Sequence, residues 1–155
     1  GLRNGAYDWI ENFIYKYIDL LPAELRENTL SFNLSQLYFY QKRYEKVIKL
    51  LQEVEYNDYV TNCNAKTTLI GAYYEESEFE PLFSLLESFR VYLNRNKEIP
   101  LARKVNYKNL IRFTKKLISI TPNNKKAIIQ LKTEVEATKN IPSRDWLLEK
   151  IAELG

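Results

Sequence analysis

The sequence predicts an all-α chain, an antiparallel array of about eight helices. Three observations lead there. Apolar residues recur at three- and four-residue spacing almost throughout, the period of a helix that buries one face. No segment alternates with period two for long enough to compete as a strand. Only 4 Gly and 5 Pro in 155 residues leave little material for tight turns, which favours long helices over hairpins.

Taken in order, the first helix spans Ala6–Leu21 and carries Tyr7, Ile10, Phe13, Ile14, Tyr17, Ile18 and Leu21 on one broad face, until Pro22 stops it. The second runs Ala23–Lys42 and the third Tyr44–Val54; Asn57-Asp58 is then a turn signal. The fourth covers Tyr59–Glu76. The fifth begins near Glu78 and tolerates Pro81, because a first-turn N–H has no intrahelical partner to lose. After the polar "NRNKEIP" (Asn94–Pro100) the sixth spans Leu101–Ile120 and closes at "TPNN" (Thr121–Asn124). The seventh is Lys125–Thr138. The eighth follows "IPS", with Ser143 as N-cap, Asp145 in the first turn where the helix dipole favours an acid, and Trp146, Leu147, Ile151 and Leu154 as its apolar face.

The totals suit a soluble domain: 45% hydrophobic and 28% charged residues, in a chain long enough to bury about 70% of its unfolded surface. No apolar run approaches the ~18 residues of a membrane span, and no signal-peptide pattern is present. A cytoplasmic location is the expectation. A start at Gly1 and the absence of Met suggest native residues missing upstream, with any signal or anchor among them.

A pattern recurs at an offset of 35 residues. Leu34 matches Leu69, Tyr38 matches Tyr73, Tyr44 matches Phe79, Val47 matches Leu82, Leu51 matches Leu86 and Val54 matches Phe89. A fixed period of this size marks helix–turn–helix units that complete one another's cores by stacking.

The matching residues resemble the tetratricopeptide repeat, a 34-residue helical hairpin. That family has Leu and a small residue in its first helix, Tyr one turn on, and an aromatic residue opening the second helix. Here those places hold Leu34-Ser35, Tyr38 and Tyr44, then Leu69-Ile70, Tyr73 and Phe79. Pro22 fits the proline that often closes a unit; counting back from it, Tyr7 and Ile10 take second-helix positions, so the first helix resembles the second half of an incomplete repeat. Leu110, Phe113 and Thr114 continue the pattern after an insertion of about six residues. Departures are visible: Ile70 and Ile111 stand where a small residue is usual, Val47 and Leu82 where Ala is usual, and no Gly separates the helices. The resemblance implies a degenerate, TPR-like α-α superhelix over residues 1–120, with residues 121–155 as C-terminal capping helices of the same domain.

Little here suggests chemistry. There is no His, the commonest general base and metal ligand, and no CxxC, Walker-type loop or GxGxxG. The run "EESEFE" (Glu75–Glu80) reads as a solvated turn at a helix start rather than a hard-cation site. Cys63 reads as an inert core thiol rather than a nucleophile. The sequon at Asn33–Ser35 falls inside a core-bearing helix and is discounted. The expectation is no catalysis, no cofactor and no metal.

Charge is uneven. Residues 1–89 carry 8 Lys/Arg against 14 Asp/Glu, a net of −6; residues 90–139 carry 13 against 3, a net of +10. The functional reading of that asymmetry is an acidic or phosphate-bearing partner, nucleic acid included, at Arg103, Lys104, Lys108, Arg112, Lys115 and Lys116. The plainer reading is a solvated face that offsets the acidic half. Tyr107 and Phe113 nearby are expected in the core rather than stacked on bases.

In tetratricopeptide proteins the first helix of each unit lines a concave face that binds extended peptides or partner helices. The resemblance therefore implies a partner surface of Asn33, Gln36 and Tyr40, then Asn64, Thr67, Thr68 and Tyr74, then Asn106, Asn109 and Arg112. The polar run "TNCNAKTT" (Thr61–Thr68) fits such a surface, since Ser, Thr and Asn are indifferent helix formers; solvent exposure explains it as simply. The expected function is a non-catalytic protein-interaction or scaffold module. The rivals are the nucleic-acid or phosphate-binding helical protein and a structural fragment that supports an upstream domain. Self-association through the first helix is expected if that helix is left uncovered.

Overall fold

The computed structural model describes residues 2–155, with side chains from Gly5 onward. Eight helices and no strand occur among the described residues: α1 (Leu2–Ile18), α2 (Ala23–Tyr40), α3 (Tyr44–Leu51), α4 (Tyr59–Glu75), α5 (Phe79–Arg95), α6 (Leu101–Ser119), α7 (Lys125–Ala137) and α8 (Arg144–Leu154). Each expected helix is present, most of them a residue or more shorter at the C-terminal end. The chain forms two compact units, residues 1–82 and 83–155, divided within α5.

In the first unit α2 packs against α1, α3 and α4, and α3 packs against α4. The core is made of Leu34, Leu37, Val47, Ile48, Leu51, Leu69, Ile70 and Leu82, with Cys63 fully buried among them. Four of the six pairs matched at the 35-residue offset are buried at both positions, Leu34 with Leu69, Tyr38 with Tyr73, Val47 with Leu82 and Leu51 with Leu86, whereas Tyr44 and Val54 are half-buried and Phe79 is exposed.

The repetition extends to the backbone. After α2, Lys42 N–H donates to Phe39 O and Arg43 N–H to Tyr38 O; after α4, Ser77 N–H donates to Tyr74 O and Glu78 N–H to Tyr73 O. This is the Schellman pattern, in which a left-handed residue just past the helix lets the freed N–H groups satisfy the last carbonyls. Lys42 (φ 60°) and Ser77 (φ 55°) are those left-handed residues. An edge-to-face ring pair closes each turn, Phe39 on Tyr44 at 5.4 Å and Tyr74 on Phe79 at 6.0 Å between centroids. The glycine usual in such a turn is missing from the sequence, but the conformation it would adopt is retained.

Helix α1 departs from expectation. Of its broad apolar face only Ile18 is buried. Phe13 (55% exposed) and Tyr17 turn outward with Trp9 (67% exposed), stacked along the helix at 5.6 and 6.4 Å. Its packing neighbour is α2, and one neighbour covers only a narrow stripe of a helix whose apolar residues extend further round.

In the second unit α6, α7 and α8 pack against one another in all three pairings. Leu86, Phe89 and Leu93 of α5, Leu110, Phe113 and Leu117 of α6, Leu131 and Val135 of α7, and Leu147 and Ile151 of α8 are buried. Phe113 is fully buried and Tyr107 nearly so, as expected. Ser143 precedes α8 but is left-handed (φ 56°) and makes no side-chain cap bond, so the expected hydroxyl cap is absent. Caps form elsewhere: Asp58 Oδ2 accepts from Thr61 N–H at 3.0 Å at the start of α4, and Asn124 Oδ1 accepts from Ala127 N–H at 3.2 Å at the start of α7.

Candidate functional site

Two surfaces concentrate polar groups, one in each unit. In the first, Asn33, Gln36 and Tyr40 follow one another along one stripe of α2, and Asn64, Thr67 and Thr68 along one stripe of α4. Gln36 Nε2 donates to Thr68 Oγ1 at 2.9 Å, which joins the two stripes. Asn64 and Tyr40 (74% exposed) face solvent, while Asn33, Thr67 and Tyr74 are half-buried. Gln36 and Thr68 thus hold one helix to the other as well as lining the surface. Both threonines also donate back into the helix, Thr67 to Cys63 O at 2.9 Å and Thr68 to Asn64 O at 3.0 Å, the usual way a helical hydroxyl is satisfied.

The polar run Thr61–Thr68 has a further reason that its composition concealed. Asn62 is buried; its Oδ1 accepts from Tyr56 N–H at 3.1 Å and its Nδ2 donates to Glu55 at 2.9 Å. Glu55 in turn takes the Lys66 ammonium at 3.0 Å. Burial alone would raise the Glu55 pKa, but the hydrogen bonds from Lys66 and Asn62 outweigh it and hold the carboxyl below its ordinary value. Asn62 therefore braces the loop between α3 and α4, a role visible only once the loop is folded back. Beside it lies a cleft of about 260 Å³ between the start of α2 and this loop, lined by Leu25, Phe32, Tyr56 and Asp58 among others. The Tyr56 hydroxyl is buried without a hydrogen-bond partner, and burial pushes its pKa up to about 12.

In the second unit a cleft of about 370 Å³ opens between α5 and α6. Arg90 and Asn94 line it from α5; Lys108, Ile111, Arg112, Lys115 and Lys116 line it from α6. Ile111 is buried and forms an apolar floor. Two carboxylates flank the cations. Glu87 pairs with Arg90 and lies 3.8 Å from Lys115. Glu134 of α7 lies 2.7 Å from Lys116 and 3.8 Å from Arg112. The hydrogen bond from Lys116 lowers the Glu134 pKa, and that from Arg90 lowers the Glu87 pKa. Arg112 also donates to Asn109 Oδ1 at 3.2 Å, and its guanidinium sits 4.3 Å from the centroid of the Phe113 ring.

Of the residues expected to line one continuous surface, Asn33, Gln36, Tyr40, Asn64, Thr67, Thr68 and Tyr74 belong to the first unit, and Asn106, Asn109 and Arg112 to the second. Arg112 is the one that enters the basic cleft. Arg90 and Asn94 lie on the preceding helix, outside the basic run of α6, and only the pairing of α5 with α6 brings them to it. No metal-holding group of His, Cys, Asp or Glu occurs among the described residues, and no described helix is long and apolar enough to cross a membrane. No family model, curated protein or solved structure matches the chain.

Proposed function

We propose that the chain is a non-catalytic protein-interaction module, a degenerate tetratricopeptide-like array whose partner surface is the joined face of α2 and α4. The observation that carries this reading is the Gln36–Thr68 hydrogen bond, which sets the non-repeating stripes of two successive first helices side by side. Most residues at the repeat positions are buried, so specificity belongs to the positions between them, Asn33, Tyr40 and Asn64, with half-buried Tyr74 at the edge of the surface. An exposed Tyr40 beside amide side chains suits an extended peptide, because an aromatic ring supplies contact area with few rotamers to freeze and amides pair with peptide backbone groups. The repeated turn supports the family reading: both hairpins place a left-handed residue, Lys42 or Ser77, and an edge-to-face ring pair at equivalent positions.

The test is selection of peptides from a displayed library, followed by affinity measurements on the selected sequences. A Tyr40→Ala/Asn64→Ala variant binds them at least about tenfold more weakly under this proposal. Tyr74→Ala, measured separately, covers the half-buried edge of the surface. Equal affinity for wild type and both variants overturns the assignment.

A further inference from the structure

We infer that the α5–α6 cleft is a binding site for clustered phosphates carried on a compact ligand. This goes beyond the peptide-binding reading and uses a different unit of the chain. Five cationic side chains, Arg90, Lys108, Arg112, Lys115 and Lys116, converge on about 370 Å³, against the two flanking carboxylates Glu87 and Glu134. The cleft therefore keeps an excess positive charge. Lys108 is paired with no carboxylate among the described residues.

The arrangement is unfavourable for the helix that carries it. Lys104, Lys108, Arg112 and Lys115 or Lys116 follow one another at three- and four-residue spacing on α6, where like charges repel. The C-terminal dipole of α6 favours Lys116 in the last turn but does nothing for Lys108 and Arg112 in mid-helix. A bound polyanion relieves that repulsion. Phosphate suits the site better than carboxylate. Each group brings up to two charges and three acceptor oxygens, enough to engage several of these cations at once, even though Arg90 already holds Glu87 through its Nε and Nη2. The volume matches a small-molecule site. A nucleic-acid strand fits less well, because Tyr107 and Phe113 are buried and Arg112 already stacks on Phe113, leaving no aromatic platform for bases there.

The experiment is calorimetric titration of the intact chain with inorganic tripolyphosphate at low ionic strength. The expected result is saturable binding at one site. Lys108→Gln/Arg112→Gln weakens it about tenfold or more, whereas Lys125→Gln/Lys126→Gln, which removes as much charge from the start of α7, leaves it within about twofold. Glu134→Gln removes a competing carboxylate and strengthens binding about threefold, an effect that a purely structural ion pair would not produce. Vesicles bearing bisphosphorylated inositol headgroups identify the source: sedimentation of the chain, reversed by tripolyphosphate, assigns a headgroup, and no sedimentation assigns a free ligand. Absent binding, equal weakening by both pairs of Lys/Arg substitutions, weaker binding by Glu134→Gln, or capture of an RNA oligomer without tripolyphosphate binding each overturns the inference.

Discussion

Lys42 and Ser77 lie 35 residues apart and adopt the same left-handed backbone conformation, each at the turn between two successive helices. Neither is glycine, and an L-residue pays roughly 1–2 kcal/mol in this region through the contact of its Cβ with the backbone. Lys42→Gly and Ser77→Gly are each expected to stabilise the chain by about 0.5–1 kcal/mol, the steric relief outweighing the extra entropy of the unfolded glycine. Lys42→Ile is expected to destabilise by more than about 1 kcal/mol, since a β-branched residue fits the conformation worst. Urea midpoints at unchanged slope measure all three.

Phe13 and Phe89 share a residue type and little else. Phe89 is fully buried and meets Tyr107 at 5.6 Å, whereas Phe13 stacks on Trp9 at the surface. Phe89→Ala is expected to cost about 3–5 kcal/mol, from lost transfer free energy plus the cavity left behind. Phe13→Ala is expected to change stability by less than about 0.5–1 kcal/mol. Similar losses for both would mean that α1 buries its outer face.

Tyr56 holds a buried hydroxyl with no partner. Tyr56→Phe removes an unsatisfied polar group and leaves the ring in place, so it is expected to be neutral or stabilising by up to about 1 kcal/mol at neutral pH. The alkaline behaviour follows from the raised pKa. Unfolded tyrosine ionises near pH 10, but the folded group waits until about 12. Its contribution is complete below about pH 10 and is lost as the pH rises towards 12. Denaturation curves in that window should show Tyr56→Phe gaining on wild type, and an identical alkaline decline in both would contradict the buried hydroxyl.

Glu134 is half-buried against α6, and the hydrogen bond and charge of Lys116 hold its carboxyl below the ordinary glutamate value. A depressed carboxyl contributes stability above its unfolded pKa and loses it as the pH falls through the folded one, so this ion pair weakens only on the acid side. Carbon-detected NMR titration should place the Glu134 midpoint below that of a free glutamate in wild type. In Lys116→Gln it should rise, and raising the salt concentration should have the same direction of effect.

Asn62 separates two explanations of one polar run. Asn62→Ala strands Tyr56 N–H in the interior and is expected to cost about 1–3 kcal/mol. A cost near zero, measured by the same urea curves, would return the run to simple solvent exposure.

The helices were legible in the sequence because periodic apolar residues, prolines and cap-forming side chains are local signals. Spacing alone marks Leu34, Val47, Leu69 and Leu82 as core positions, and all four are buried, whereas Tyr44, Val54 and Phe79 at the same repeat are only partly covered. The 35-residue repeat was legible for the same reason, since units that fold alike must bury alike. Three things were decided only by tertiary structure. Which part of the α1 face is covered depends on how many helices pack against it, so Phe13 and Tyr17 could not be assigned from periodicity. The bracing role of Asn62 depends on a loop folding back onto α4. The basic cleft depends on α5 lying against α6, which brings Arg90 and Asn94 to cations that follow them by some fourteen residues or more. Spacing along the chain specifies which residues of a helix share a face; only the packing of helix on helix specifies what that face meets.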